Sequence, residues 1–213
     1  MVALGIRNKI TLGDLRVVAK VLWDQELSSD GAMQFSLEWS VLEKSFGDRR
    51  LISYLRSNKQ VDKISQFLYF YVLTKDALIT QDVEDNDICD YVSTLLVDFG
   101  EKDRSLKSAL YSDDKYFNIT EILEASKRFD GGEKFKLFVH LGNFALWQAG
   151  MFSKFVERRG ESISFYDTVG QKGYKMAAVH PLGIADQKLY DKMSDRFKDV
   201  RVALNHLSND ILT

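Results

Sequence analysis

The sequence predicts an all-α fold, and three observations lead to that prediction. The chain of 213 residues contains one proline, Pro181, although folds rich in loops or strands usually contain several, because proline interrupts helices. Apolar side chains recur every three or four residues along most of the chain. Hydrophobic residues make up 45% and charged residues 28%, as in ordinary globular proteins. We therefore expect a single all-α domain over residues 1–213, a compact bundle of roughly seven to nine helices with short connections.

The first hundred residues predict five helices. Thr11 can cap an amphipathic helix that runs to residue 25. A second helix is expected to end near residue 46, and a short third one covers 49–57. Residues 61–79 form one of the most apolar segments, which is typical of a central helix. The fifth helix, beginning near residue 88, is expected to stop at Gly100.

The remaining residues predict four more helices after a loop. Residues 101–116 are charged and rich in turn formers, so we expect little regular structure there. Helices are predicted at 118–129, 133–152 and 164–179, and one long amphipathic helix at 185–212. The segment between 152 and 164, with Arg158 and Arg159, is expected to be a turn.

The helices at 133–152 and 164–179 each carry a stripe of small residues. The two stripes have the same spacing: Gly142, Ala145 and Ala149 on the first helix, and Gly170, Gly173 and Ala177 on the second. Glycine inside a helix costs about 1 kcal/mol relative to alanine. The stripes therefore suggest that close packing offsets this cost, with the two helices seated against each other.

Polar and aromatic residues in the same region suggest a ligand site. The candidates are Asn143, Trp147, Arg158, Arg159, Tyr166, Asp167 and Tyr174. Two arginines can hold an anionic group while tyrosines and amides orient the rest of a small molecule. A plainer interpretation makes the arginines a solvated turn or a salt-bridge pair and Asn143 a satisfied buried amide. Arg196, Arg201 and Asn205, on the terminal helix, could also reach this region, although a solvent-exposed position is the alternative for each.

No motif predicts a catalytic residue, a metal or a cofactor. The three histidines, His140, His180 and His206, are too far apart for a local metal motif. The acidic stretch at 82–93 lacks the glycine and the final glutamate of a calcium loop. Cys89, the single cysteine, is expected to be a core thiol.

Charge and hydropathy restrict the possible partners. The formal net charge is −2 and the pI is near 6.0, so nucleic-acid binding is not expected. No apolar run is long enough to cross a membrane, and the first residues lack the pattern of a signal peptide. We therefore expect a cytoplasmic protein without membrane contact.

Several blocks of the sequence resemble a family of uncharacterised bacterial proteins. The blocks include GNFALW, ERRG and FYDTVG followed by GY. The similarity covers residues 61–213 and leaves 1–60 as variable N-terminal helices. It implies a bacterial cytoplasmic protein and assigns no activity.

Two functional hypotheses follow from these observations. The first is a non-catalytic protein that mediates protein–protein interaction or self-association, with a homodimer as one form. The second is a protein, with or without enzymatic activity, that binds a small ligand or nucleotide in a pocket near residues 143–174.

Overall fold

The computed structural model describes residues 8–26, 39–57, 64–100, 119–180, 182 and 186–211. These residues form eleven helices and no strand, so the all-α prediction is confirmed for this part of the chain. The helices are α1 (Leu12–Trp23), α2 (Trp39–Ser45), α3 (Arg49–Ser57), α4 (Gln66–Ile79), α5 (Asn86–Gly100), α6 (Ile119–Arg128), α7 (Gly131–Met151), α8 (Ser153–Arg158), α9 (Ile163–Val179), α10 (Gln187–Asp195) and α11 (Phe197–Ile211).

Helix α7 lies at the centre of the bundle. It packs against α9 most extensively, and also against α11, α6 and α5. Its buried residues cover much of its circumference, from Leu137 to Met151, as the nearly continuous apolar sequence predicts. Every helix adds side chains to one apolar cluster around this centre. The site candidates on α7 and α9 are therefore placed within the core or at its edge.

One buried carboxylate joins the first helix to the rest of the bundle. Asp14 is fully buried and accepts hydrogen bonds from the backbone nitrogen and hydroxyl of Thr11, both at 2.8 Å. It also accepts from the backbone nitrogen of Ser65 at 2.6 Å and from its hydroxyl at 2.9 Å. Because Thr11 caps α1 and Ser65 caps α4, a single side chain fixes the start of both helices.

The long terminal helix predicted at 185–212 is two helices. Arg196 separates α10 from α11, with φ −98° and ψ 12°. Its guanidinium donates to the carbonyl oxygens of Gln81 at 3.2 Å and Asp82 at 2.8 Å. The next side chain, Phe197, is fully buried. These contacts with another part of the bundle fix the break, and no breaker residue in the sequence marks it.

The turn predicted after α7 contains a further short helix. Helix α7 ends at Met151 because Phe152 leaves the helical conformation, with φ −126° and ψ 34°, and its ring packs on Trp147 with centroids 5.2 Å apart. Helix α8 follows and ends at Arg158, and the turn after it contains Gly160, whose φ of +71° favours glycine. With α8 and the divided terminal helix, the described residues form eleven helices, more than the seven to nine predicted.

Some predictions lie outside the described residues. They concern the loop at 101–116, the start of the second helix before residue 39, the end of the fifth helix at Gly100, and the first residues of the helices predicted at 61–79, 118–129 and 185–212. Among the described residues, Cys89 is buried, as predicted.

Candidate functional site

The closest contact between α7 and α9 occurs at two glycines. A Cβ atom on Gly173 would lie 2.7 Å from the backbone nitrogen of Gly142 and 2.9 Å from the carbonyl oxygen of Phe138. A Cβ atom on Gly142 would lie 2.7 Å from the ring of Tyr174. Neither position has room for a side chain. Both glycines are therefore required by the distance between the helices.

The remaining small residues do not all belong to this contact. Gly170 faces α11, because a Cβ atom there would lie 2.2 Å from Cζ of Phe197. The spacing of the stripes predicted that Gly170 packs against α7. In the structure, Gly170 instead packs against the ring of Phe197. Ala145, Ala149 and Ala177 are fully buried. The α9 stripe therefore divides between two neighbouring helices.

Two tyrosine hydroxyls converge on Asn143. The hydroxyl of Tyr91 donates to Oδ1 of Asn143 at 2.6 Å, and that of Tyr174 donates to the same atom at 2.8 Å. The Tyr174 ring stacks on Tyr190 with centroids 6.3 Å apart. Burial raises the pKa of Tyr190 to about 12 and that of Tyr174 well above its ordinary value. The phenols therefore remain protonated donors, and the amide oxygen is occupied by protein.

Asp167 forms a buried ion pair with Arg201. The Arg201 Nε donates to Asp167 Oδ1 at 2.7 Å, and Nη1 donates to Oδ1 of Asn205 at 3.1 Å. Asn205 Nδ2 then donates to the carbonyl oxygens of Ala149, at 2.8 Å, and Gly150. This chain connects α9, α11 and the end of α7. Asp167 is therefore already paired with a cation.

Trp147 and Arg158 lie apart from both groups. The Trp147 ring packs between Phe99, with centroids 5.3 Å apart, and Phe152. Arg158 is exposed at the end of α8. Neither side chain lines the hollow described next.

Arg159 and Tyr166 meet at a small hollow beside Glu161. The guanidinium of Arg159 lies 2.8 Å from Oε1 of Glu161, and the Tyr166 hydroxyl donates to the other carboxylate oxygen. Burial, followed by this carboxylate, raises the pKa of Tyr166 above its ordinary value. The hollow has a volume of about 100 Å³, and Phe144, Gln148 and Phe165 also line it. It is smaller than the roughly 300 Å³ at which ordinary ligand pockets begin.

The seven predicted ligand residues therefore belong to separate environments. Asn143 and Tyr174 form one group, Arg159 and Tyr166 another, and Asp167 pairs with the terminal helix. The sequence did not identify Tyr91, Tyr190 and Glu161 as partners, because each is distant along the chain or looks like an ordinary amphipathic position. Among the described residues, no group of histidines, cysteines or acids could hold a metal ion.

A surface on α8 and α9 exposes large apolar side chains around an arginine. Phe155 is 52% exposed and Phe165 is 47% exposed. The Arg159 guanidinium lies 5.5 Å from the centroid of the Phe155 ring and lines the same hollow as Phe165. Met176 and Val179 continue the exposed face of α9 at helical spacing. We call these residues, with Arg158, the α8–α9 surface.

These features define a helical bundle in which Asn143 and Asp167 bond to other side chains of the bundle and whose α8–α9 surface presents aromatic and basic side chains. None of the described helices is both long enough and apolar enough to cross a membrane. Comparison of the chain with models of known protein families, with curated proteins and with solved structures gives no match.

Proposed function

We propose that this protein is a non-catalytic helical protein that associates with a second copy of itself through the α8–α9 surface. The observation that carries the proposal is the pair of exposed rings, Phe155 and Phe165, on either side of Arg159. Aromatic residues and arginine are enriched at the centres of protein interfaces and contribute most of their binding energy. Large apolar side chains grouped on a surface are typical of interaction sites.

The charges of the α8–α9 surface favour a second copy as the partner. In a twofold interface, the same patch meets itself, so it must carry both members of each complementary pair. Arg159 pairs with Glu161 at the edge of this patch, and Arg158 is exposed on α8, so the patch and its edge carry charges of both signs. The formal net charge of −2 adds only weak repulsion between two copies.

Sedimentation velocity over a series of protein concentrations tests this proposal. We expect the wild type to show a species with twice the mass of one chain as the concentration rises. The double variant Phe155→Ser and Phe165→Ser should remain a monomer at the same concentrations. Leu12→Ser is a matched control, because Leu12 is 45% exposed on α1 and lies outside the α8–α9 surface.

Two results would refute self-association through this surface. One is a wild-type chain that sediments as a monomer at every concentration. The other is a double variant that associates as strongly as the wild type. Circular dichroism of all variants establishes that each is folded.

A second candidate function is binding of a small ligand near residues 143–174. The hollow at Arg159 and Tyr166 favours it, because a cation and a phenol there adjoin the apolar side chains of Phe144 and Phe165. Its volume of about 100 Å³ suits a small anionic group better than a whole nucleotide. Inorganic phosphate and simple carboxylates are the appropriate probes, and Arg159→Met should abolish any thermal stabilisation they produce.

We also propose that the protein acts in the bacterial cytoplasm. Support comes from the resemblance of the GNFALW, ERRG and FYDTVG blocks to bacterial proteins. Fractionation of cells that express the tagged chain would test this location.

A further inference from the structure

The larger of two described cavities lies between α4 and α5, and none of its lining residues belongs to the α8–α9 surface. Its volume is about 300 Å³, which lies at the lower end of the range for small-molecule sites. The turn between the two helices forms one wall. The lining includes Lys75, Leu78, Val83, Glu84, Asn86 and Cys89.

The wall formed by the α4–α5 turn is fixed by residues of other helices. Arg196 donates to the carbonyl oxygens of Gln81 and Asp82, and Asp82 has a φ of +53°. Lys192 of α10 lies 2.8 Å from a carboxylate oxygen of Asp85. Because these contacts hold the turn before any ligand arrives, a ligand would not have to order it, and such preorganisation favours binding.

The carboxylate of Asp85 is bonded to the backbone of α5 and to Lys192. Its Oδ1 accepts hydrogen bonds from the backbone nitrogens of Asp87 at 2.9 Å and Ile88 at 3.1 Å, which caps α5. The Lys192 pair and these hydrogen bonds hold the pKa of Asp85 below its ordinary value despite its partial burial. Asp85 therefore shapes the cavity, and other polar groups are needed to bind a ligand.

Lys75 and Glu84 supply opposite charges to the cavity. The Lys75 ammonium lies 5.9 Å from the centroid of the Tyr71 ring and is 3.5 Å from the carbonyl oxygen of Glu43. An ammonium has three donors, so it retains the capacity to bind a carboxylate. Glu84 is exposed and lines the cavity, and its carboxylate can accept a hydrogen bond from an amine.

The buried side chains that line the cavity are apolar. Leu78, Val83 and Cys89 are buried, and Ile79 adds an apolar side chain at the rim. Burial raises the pKa of the Cys89 thiol to about 12, so it lines the cavity as a neutral, unreactive group. An aliphatic side chain of a ligand would be in contact with these residues.

We propose that this cavity binds a small zwitterion with an aliphatic side chain, such as an aliphatic α-amino acid. Its carboxylate contacts Lys75, its ammonium contacts Glu84, and its side chain lies on Leu78 and Val83. The inference does not depend on self-association, because none of these residues belongs to the α8–α9 surface.

Isothermal titration calorimetry with three related probes tests the inference. L-leucine carries both charges, leucine amide lacks the carboxylate, and isocaproate lacks the amine. We expect leucine to bind at least about tenfold more tightly than either analogue, because each analogue loses one charge-assisted hydrogen bond.

Two variants assign each charge to its partner. Lys75→Met should weaken leucine and isocaproate by about tenfold and leave leucine amide unchanged, while Glu84→Gln should weaken leucine and leucine amide and leave isocaproate unchanged. Lys188→Met, an exposed change on α10, is the control and should alter nothing.

Three outcomes overturn the inference. They are the absence of leucine binding, equal affinity for the three probes, and leucine binding that neither variant weakens. Circular dichroism shows whether each variant is folded. If Lys75→Met is not folded, Lys75→Gln replaces it, because this change also removes the charge of Lys75.

Discussion

Replacing Gly173 with alanine is the most direct test of the contact between α7 and α9. The new Cβ atom would lie 2.7 Å from the backbone nitrogen of Gly142 and 2.9 Å from the carbonyl oxygen of Phe138. Ordinary contacts begin at about 3.4 Å, so the helices must separate by about 0.7 Å. No side-chain rotation can provide this space, because the obstructing atoms belong to the backbone of the central helix.

The expected loss of stability follows from two opposing effects. Inserting a methyl group into a packed core typically costs about 1–3 kcal/mol, and a rigid backbone obstacle places this variant near about 3 kcal/mol. Alanine recovers about 1 kcal/mol of helix propensity relative to glycine. The free energy of unfolding should therefore fall by about 2 kcal/mol, which corresponds to a decrease in Tm of about 4–8 °C for a chain of this size.

Thermal and urea unfolding followed by circular dichroism would measure this change. Gly100→Ala is the matched control, because a Cβ atom at the end of α5 would meet nothing within 4 Å. It should leave Tm unchanged or raise it slightly. If Gly173→Ala unfolds at or above the wild-type Tm, the close approach of α7 and α9 is refuted as the reason for this glycine.

Three further predictions concern buried polar groups. Arg201→Met leaves Asp167 buried without its cation and should lower the free energy of unfolding, measured in urea, by about 3–5 kcal/mol. Lys175→Met, at an exposed ion pair, is the control and should lower it little. Equal losses in the two variants would contradict a buried pair. The Thr74 hydroxyl is buried with no hydrogen-bond partner among the described residues. Thr74→Val removes this hydroxyl and should raise the free energy of unfolding by about 1–3 kcal/mol. A variant less stable than the wild type would disprove the prediction. Burial lowers the pKa of His140 from 6.5 to about 4, so the unfolded chain binds more protons than the folded chain between pH 6.5 and about 4. The free energy of unfolding of the wild type should therefore fall as the pH is lowered through this window. His140→Gln should show a smaller fall, and a pH profile identical to that of the wild type would contradict the prediction.

The sequence predicted the helices because the information for them is local. Thr11 marks the start of α1 through its capping box, and apolar spacing identifies the buried faces. The break at Arg196 was not predictable in this way. It depends on the carbonyl oxygens of Gln81 and Asp82, more than a hundred residues earlier in the chain.

Site predictions depended on the same distinction between local and distant partners. The glycines at 142 and 173 stood out because glycine is unfavourable within a helix, and spacing alone could indicate a close approach. Spacing could not tell that Gly170 turns toward Phe197. Nor could it show that Asp167 meets Arg201, since polar residues on separate helices are paired only by the tertiary fold.

The pairing of these core residues argues against a ligand site at Asn143 or Asp167. Asn143 accepts from two tyrosines, and Asp167 is held by Arg201, so a ligand at either group would first have to break hydrogen bonds that stabilise the bundle. Phe155 and Phe165 differ from these groups, because their rings are exposed. A partner could cover the two rings without breaking those hydrogen bonds, and burial of the rings would remove apolar surface from water. Substitutions at Asn143 or Asp167 should therefore reduce function only as far as they reduce stability. Substitutions at the exposed rings should reduce association, and at concentrations at which the wild type is a monomer they should leave Tm unchanged.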